Sequence, residues 1–229
     1  MHSSLLALAL ASATLSAIAA PSNLLFPGID LCKASKAVMD LPKGQTALVS
    51  PPSGPRFVAL GVGVQNYTCT GSTYTSIGAV ASLFDISCLD ETLLFPLVQT
   101  LAFDIWKISS PEIKASSIGP LVAAPNLLGS HYFVPSPSGS GISPKWDFTP
   151  SIANPDPDTF VIAAKVGDIA APHNPATNVD WLSLNHVEGN LASQIFRIDT
   201  VGGQPPSHCV AGSAPISVKY AAKYFLYSN

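Results

Sequence analysis

At 229 residues, a formal net charge of −3 and only 11 % charged residues, the chain has no basic stripe for nucleic acid, because Arg56 and Arg197 are its only arginines and its lysines are scattered. The 47 % apolar share suffices for a core. No segment after the N-terminus supplies the about 20 uninterrupted apolar residues of a membrane span, the nearest, Leu93 to Trp106, being broken by Pro96, Gln99 and Asp104.

The N-terminus reads as a secretory signal. Leu5 to Ala11 is an apolar run of h-region length, and Ala17-Ile18-Ala19 supplies small residues for cleavage after Ala19, although the segment before the run holds His2 and no lysine or arginine. Cleavage leaves about 210 residues, the size of one domain. The expected organisation is a signal peptide over residues 1–19, an N-terminal extension over 20–56 and a single β domain over 57–229 with an insertion at 90–130.

From Phe57 the pattern has period two. Val58, Leu60, Val62 and Val64 alternate with Ala59, Gly61, Gly63 and Gln65, which predicts a strand with one buried face. Tyr74 to Cys88 reads as the returning strand after a Thr-Gly-Ser-Thr turn. Later strands are expected at His131 to Val134, Lys145 to Phe148, Thr159 to Val166, Trp181 to His186, Gln194 to Thr200 and Ile216 to Tyr227. Short strands separated by Gly, Pro, Asn and Ser clusters indicate an all-β antiparallel sandwich or barrel, of which the sandwich is the expectation taken forward. One segment is helical in period: Leu97, Val98, Leu101, Ala102 and Ile105 predict a short helix over Pro96 to Trp106. Its apolar stripe is expected to cover an open face of the β domain or, alternatively, to act as a lid over an apolar pocket.

Four cysteines, Cys32, Cys69, Cys88 and Cys209, follow the expected cleavage site, and an even number in an exported chain reads as two disulfides. With no C-x-x-C pair to nucleate a zinc site, no metal is expected, and no cofactor either. Neither G-x-S-x-G nor H-E-x-x-H occurs. Gly61-Val62-Gly63-Val64-Gln65-Asn66 lacks the third glycine of a dinucleotide fingerprint and runs on into strand rather than helix. The residues that could carry chemistry are His131, Trp146, Trp181 and Arg197, with His186 and Glu188 as a same-face pair and Asp147 and Asp180 as carboxylates flanking the tryptophans. Asn66-Tyr67-Thr68 is a glycosylation sequon, but Asn66 shares parity with Val62 and Val64 and points inward unless the strand bulges.

Gly63 to Cys69, Gly202-Gly203-Gln204-Pro205-Pro206 with Cys209, Ala79 to Asp85, Pro144-Lys145-Trp146 and Val179 to Leu182 together resemble a secreted fungal and bacterial family of unknown function. Some of its members are labelled malate dehydrogenase, a label that this sequence does not support. The resemblance implies a β-rich extracellular or cell-wall protein. It also implies the pairing Cys69–Cys209, and hence Cys32–Cys88, because bacterial members keep only the first pair. Two functions are expected to compete. One is a non-catalytic module for cell-wall polysaccharide, a host surface or a small apolar ligand; the other is an enzyme with an unrecognised site near His131, Trp146 and Arg197.

Overall fold

Period-two alternation becomes eight antiparallel strands in the computed structural model, which describes residues 34–122, 124, 126–149 and 159–228. The expected signal peptide and Cys32 lie outside the described residues. The strands are β1 (Phe57–Thr70), β2 (Thr73–Asp85), β3 (Leu127–Pro135), β4 (Ile142–Asp147), β5 (Phe160–Ile169), β6 (Trp181–Gly189), β7 (Gln194–Gly202) and β8 (Ile216–Tyr227). Each pairs with its sequence neighbour, and β1 also pairs with β8, from Phe57 opposite Leu226 to Tyr67 opposite Ile216, so the sheet closes on itself. The sandwich expectation therefore gives way to a closed barrel. Closure leaves no edge strand for another chain to extend.

Between β2 and β3 the chain forms two helices, α1 (Val98–Ile108) and α2 (Ile118–Val122). β3 begins at Leu127, inside the range expected for the insertion. Pro96 stands two residues before α1, and Lys219 caps the other end: its Nζ donates to the carbonyl oxygens of Trp106 and Ser109 at 2.8 and 2.9 Å, placing a cation against the negative end of the helix.

Two apolar clusters divide the core. One draws on all eight strands and fills the lumen, with Phe57, Ala59, Leu83, Leu128, Trp146, Val161, Leu184, Ile195 and Tyr224 among its members. The other lies on the outer face, where Val58, Leu60, Val62, Phe84 and Phe225 meet Trp106, Val98, Ala102 and Phe103 of α1. Both faces of β1 are thus buried, not one as the alternation predicts. Ala59, Gly61 and Gly63 are small because the lumen is crowded: a Cβ on Gly61 would lie 2.5 Å from the Tyr224 ring.

A disulfide joins Cys69, at the end of β1, to Cys209 in the β7–β8 connection. The Cys209 N–H also donates to the Ser72 carbonyl at 2.9 Å, so the same join is made by the backbone. With a sequence separation of 140, the bridge constrains most of the barrel and stabilises it by about 5 kcal/mol on chain-entropy grounds. Cys88 is also disulfide-bonded.

Candidate functional site

The lumen has a gradient of polarity along its length. At one end Phe57 packs edge-on against Phe148, 5.7 Å between centroids, beside Leu191, Ile195 and Leu226. Toward the Cys69 end the inward residues become Gln65, Tyr67, His131, Arg197, Tyr220 and Tyr224. Three of the four candidate residues meet there. His131 stacks on Trp146 at 4.5 Å, and the Tyr224 ring lies 5.5 Å from both. Arg197 sits opposite Tyr224 across the β7–β8 ladder, and its charge acts on the Tyr224 phenol against the raising effect of burial. Trp181 is not part of this group: it opens β6 with its indole in the outer cluster, because β6 turns Leu182 and Leu184 toward the lumen.

The hydrogen bonds of this group serve the barrel. His131 Nδ1 donates to the Lys145 carbonyl at 2.9 Å, and burial pulls the imidazole down to about 4, a cost that the Arg197 charge deepens and the carbonyl bond only partly offsets. It is a neutral ring in a closed stack. Tyr67 Oη donates to the Gly203 carbonyl at 2.8 Å, and its phenol is pushed up to about 12, chiefly by burial. Tyr220 and Tyr224 share a hydrogen bond of 2.9 Å. Arg197 Nε and Nη2 donate to the Asp180 carbonyl. Trp146 Nε1 and Gln65 Nε2 are buried donors with no hydrogen-bond partner among the described residues.

The other candidates do not converge. His186 donates to the Gly189 carbonyl, and both it and Glu188 are exposed. Asp147 is opposed by burial, yet hydrogen bonds from Tyr132, Thr149 and Lys145 hold its carboxyl down to about 2. No group of three or more His, Cys, Asp or Glu side chains suited to a metal ion occurs among the described residues. The β1–β2 register shifts between Asn66 and Tyr67, but the extra residue is Ile77 on β2, and β1 runs on unbroken against β8. Asn66 keeps the outer-face parity of Val62 and Val64 and is half-buried, its Oδ1 accepting from Ser217 Oγ at 2.7 Å. All three tryptophans are buried, so none offers an open face for stacking on a sugar ring.

The Gly202-Gly203-Gln204-Pro205-Pro206 motif borders an open cleft of about 960 Å³ shared with α1 and the turn at residues 173–178. Packing accounts for its glycines. A Cβ on Gly202 would lie 2.4 Å from Phe103, and one on Gly203 3.1 Å from the Tyr220 Cβ. Both also have positive φ, 74° and 93°.

The most apolar hollow lies beside the helix whose stripe was expected to cover the β domain or to close over an apolar pocket. The expected apolar stripe of α1 is split: Val98, Ala102 and Trp106 face the barrel, while Leu97, Leu101 and Ile105 are 55 %, 48 % and 71 % exposed. Trp106 decides this orientation, because its Nε1 donates to the Gly63 carbonyl at 2.6 Å and pins the helix by that face. Between α1, α2 and the outer face of β1 runs a groove of about 340 Å³ lined by Leu60, Val62, Phe84, Ile105, Trp106 and Leu121, among other apolar residues, with Ser109 as its one polar side chain. Leu93, Ile108 and Val122 add further exposed apolar surface on the same insertion. The signal that could have revealed it was α1 itself, which is apolar on more of its circumference than one buried face requires.

The family of proteins of unknown function designated DUF3455 matches residues 51–228. No curated protein and no solved structure matches the chain.

Proposed function

We propose, for a chain that belongs to the DUF3455 family of proteins of unknown function, that it is an exported, non-catalytic binding protein holding a small apolar ligand between its barrel and its insertion. The observation that carries this reading is the groove lined by Leu60, Val62, Phe84, Ile105, Trp106 and Leu121. Hydrocarbon walls around a hollow of this size, with apolar side chains left open at its rim, suit a small hydrophobic guest. Export is supported by the apolar N-terminal run and by the Cys69–Cys209 bridge, which persists in oxidising compartments. A wall polysaccharide is less well served, since the buried tryptophans offer no stacking platform. Malate oxidation has no support in a chain without a nucleotide fold.

An environment-sensitive naphthylamine dye tests the reading. Its fluorescence should rise on mixing with the oxidised protein, and Ile105→Asp, a change at an exposed helix position, should weaken dye binding about tenfold or more. No enhancement, or full binding by Ile105→Asp, would remove the groove as the site. Retention on insoluble chitin or β-glucan would instead favour the polysaccharide. Expression in a secreting host should yield medium protein whose first residue is Ala20.

A further inference from the structure

A second hollow lies on the other side of the Trp106 indole, which meets β1 at Gly63. Trp106 and Ile113 line both, and the second, of about 400 Å³, has Asn66, Lys114, Ser116, Ser217 and Lys219 as its polar walls. From Leu60 to Asn66 the two hollows follow β1 for about 20 Å at the rise of a strand. No carboxylate lines the second one. Lys219 is half-buried, 4.2 Å from the centroid of the Trp106 ring, and each partner of its Nζ, the carbonyls of Trp106 and Ser109 and the Ser109 hydroxyl, is neutral. Among the described residues the ion pairs are Lys36–Glu91, Lys145–Asp147, Lys165–Asp168 and Lys223–Asp199, so neither Lys114 nor Lys219 has one. A hydrocarbon trough thus ends in two unneutralised cations beside a low-dielectric wall, where an anion is attracted more strongly than in open water.

Resting on the apolar-ligand reading, we propose that the occupant is a free long-chain fatty acid, with its chain along Leu60, Val62 and Trp106 and its carboxylate between Lys114 and Lys219. A single-charged head fits better than a phosphate. Lys219 already donates three hydrogen bonds and offers only its charge, and the Ser217 hydroxyl proton is given to Asn66 Oδ1, which leaves Lys114 and the Ser116 hydroxyl as donors. Asn66 borders the same hollow, so a glycan there would fill it, and the site requires this amide unmodified.

The test is dye displacement by a long-chain fatty acid, and by the alcohol and the amine of the same chain length, on protein whose mass shows no glycan. The acid should bind about tenfold more tightly than the alcohol, and the amine most weakly. Lys114→Glu, at an exposed position, should weaken the acid about tenfold and leave the alcohol unchanged, whereas Lys219→Arg, which keeps charge and helix cap, should preserve the preference. Equal affinities for acid and alcohol, or equal losses of both in Lys114→Glu, would overturn the head-group assignment while leaving the groove in place. If neither acid nor alcohol displaces a dye whose binding Ile105→Asp weakens, the fatty-acid proposal fails while the groove stands; if the dye does not bind at all, both fail.

Discussion

Inside the barrel, every large side chain is packed by other strands of the same closed sheet; outside it, the same strands depend on a segment inserted between β2 and β3. The lumen is sealed, and its polar end, with His131, Trp146, Tyr224 and Arg197, is joined by stacking and hydrogen bonds that leave no open face. The outer face is covered by α1 and α2 incompletely, leaving a groove and a rim of exposed leucine and isoleucine. Ligands are therefore expected where cover is partial. A tightly packed interior with a loosely covered exterior is a division that closed barrels permit, because closure frees the outer face from holding the sheet together.

The largest effect should come from removing the cover. Replacing residues 91–126 with a short Gly/Ser linker would expose Val58, Leu60, Val62 and Phe84 together, and the melting temperature should fall sharply with aggregation on warming. A truncated protein that stays soluble with an unchanged melting temperature would show that the insertion is a dispensable lid, and the contrast drawn here would collapse.

Next in size is a polar contact beneath that cover. Lys223, 1 % exposed on β8, donates to Asp199 Oδ2 at 2.9 Å, and its ammonium lies 4.3 Å from the centroid of the Phe95 ring. Asp199 holds a left-handed backbone, φ 51°, at the irregularity between Ile198 and Val201. Asp199→Ala would leave the ammonium buried without its counter-charge and should cost about 3–5 kcal/mol by chemical denaturation. Adding Lys223→Met should recover a large part of that loss. If the single variant is as stable as the parent, the ion pair is not held by the insertion.

The lumen is probed by pH. An unfolded histidine takes up its proton near pH 6.5, whereas buried His131 refuses it until about 4. The unfolded chain binds the extra proton across that window, so stability is full above it and falls as the pH drops from 6.5 to 4, by about 3 kcal/mol. Asp147 is separate, since its carboxyl, held down to about 2, loses its contribution only as pH falls below the ordinary carboxylate range. His131→Phe keeps an aromatic against Trp146 and should flatten the profile between pH 6.5 and 4. A parent protein equally stable at both ends of this window would mean that the ring is hydrated.

Much of the fold was legible because each strand carries its own local signal. The β1–β2 hairpin around Gly71, the β8 start at Ile216 and the helix near Trp106 follow from alternation, turn residues and helical spacing. What was not legible is non-local. Nothing in the period of β1 says that β8 will pair with it, so sandwich and barrel could not be separated. Ala59, Gly61 and Gly63 read as an exposed face because they are small, yet their size reflects the bulk of Tyr224 opposite. The grouping of His131, Trp146 and Arg197 needed three strands brought level. Trp181 was misplaced with them because adjacency to a carboxylate, Asp180 beside Trp181 as Asp147 beside Trp146, carries no information about which side of a sheet an indole faces.

The smallest expected effect separates the two sides of α1. If Trp106 pins the helix by its barrel face, residues on the opposite face contribute solubility and ligand contact but little stability. Leu97→Gln with Leu101→Gln should then shift unfolding free energy by no more than about 0.5 kcal/mol, the range of surface changes away from packed sites. Trp106→Ala should cost about 3–5 kcal/mol, because it empties a buried aromatic site and removes the donor to the Gly63 carbonyl. The pair of measurements reads helix orientation directly in solution. A destabilisation by the glutamines comparable with that of Trp106→Ala would mean that Leu97 and Leu101 are packed, that α1 is rotated, and that the groove beside Ile105 does not have the walls described.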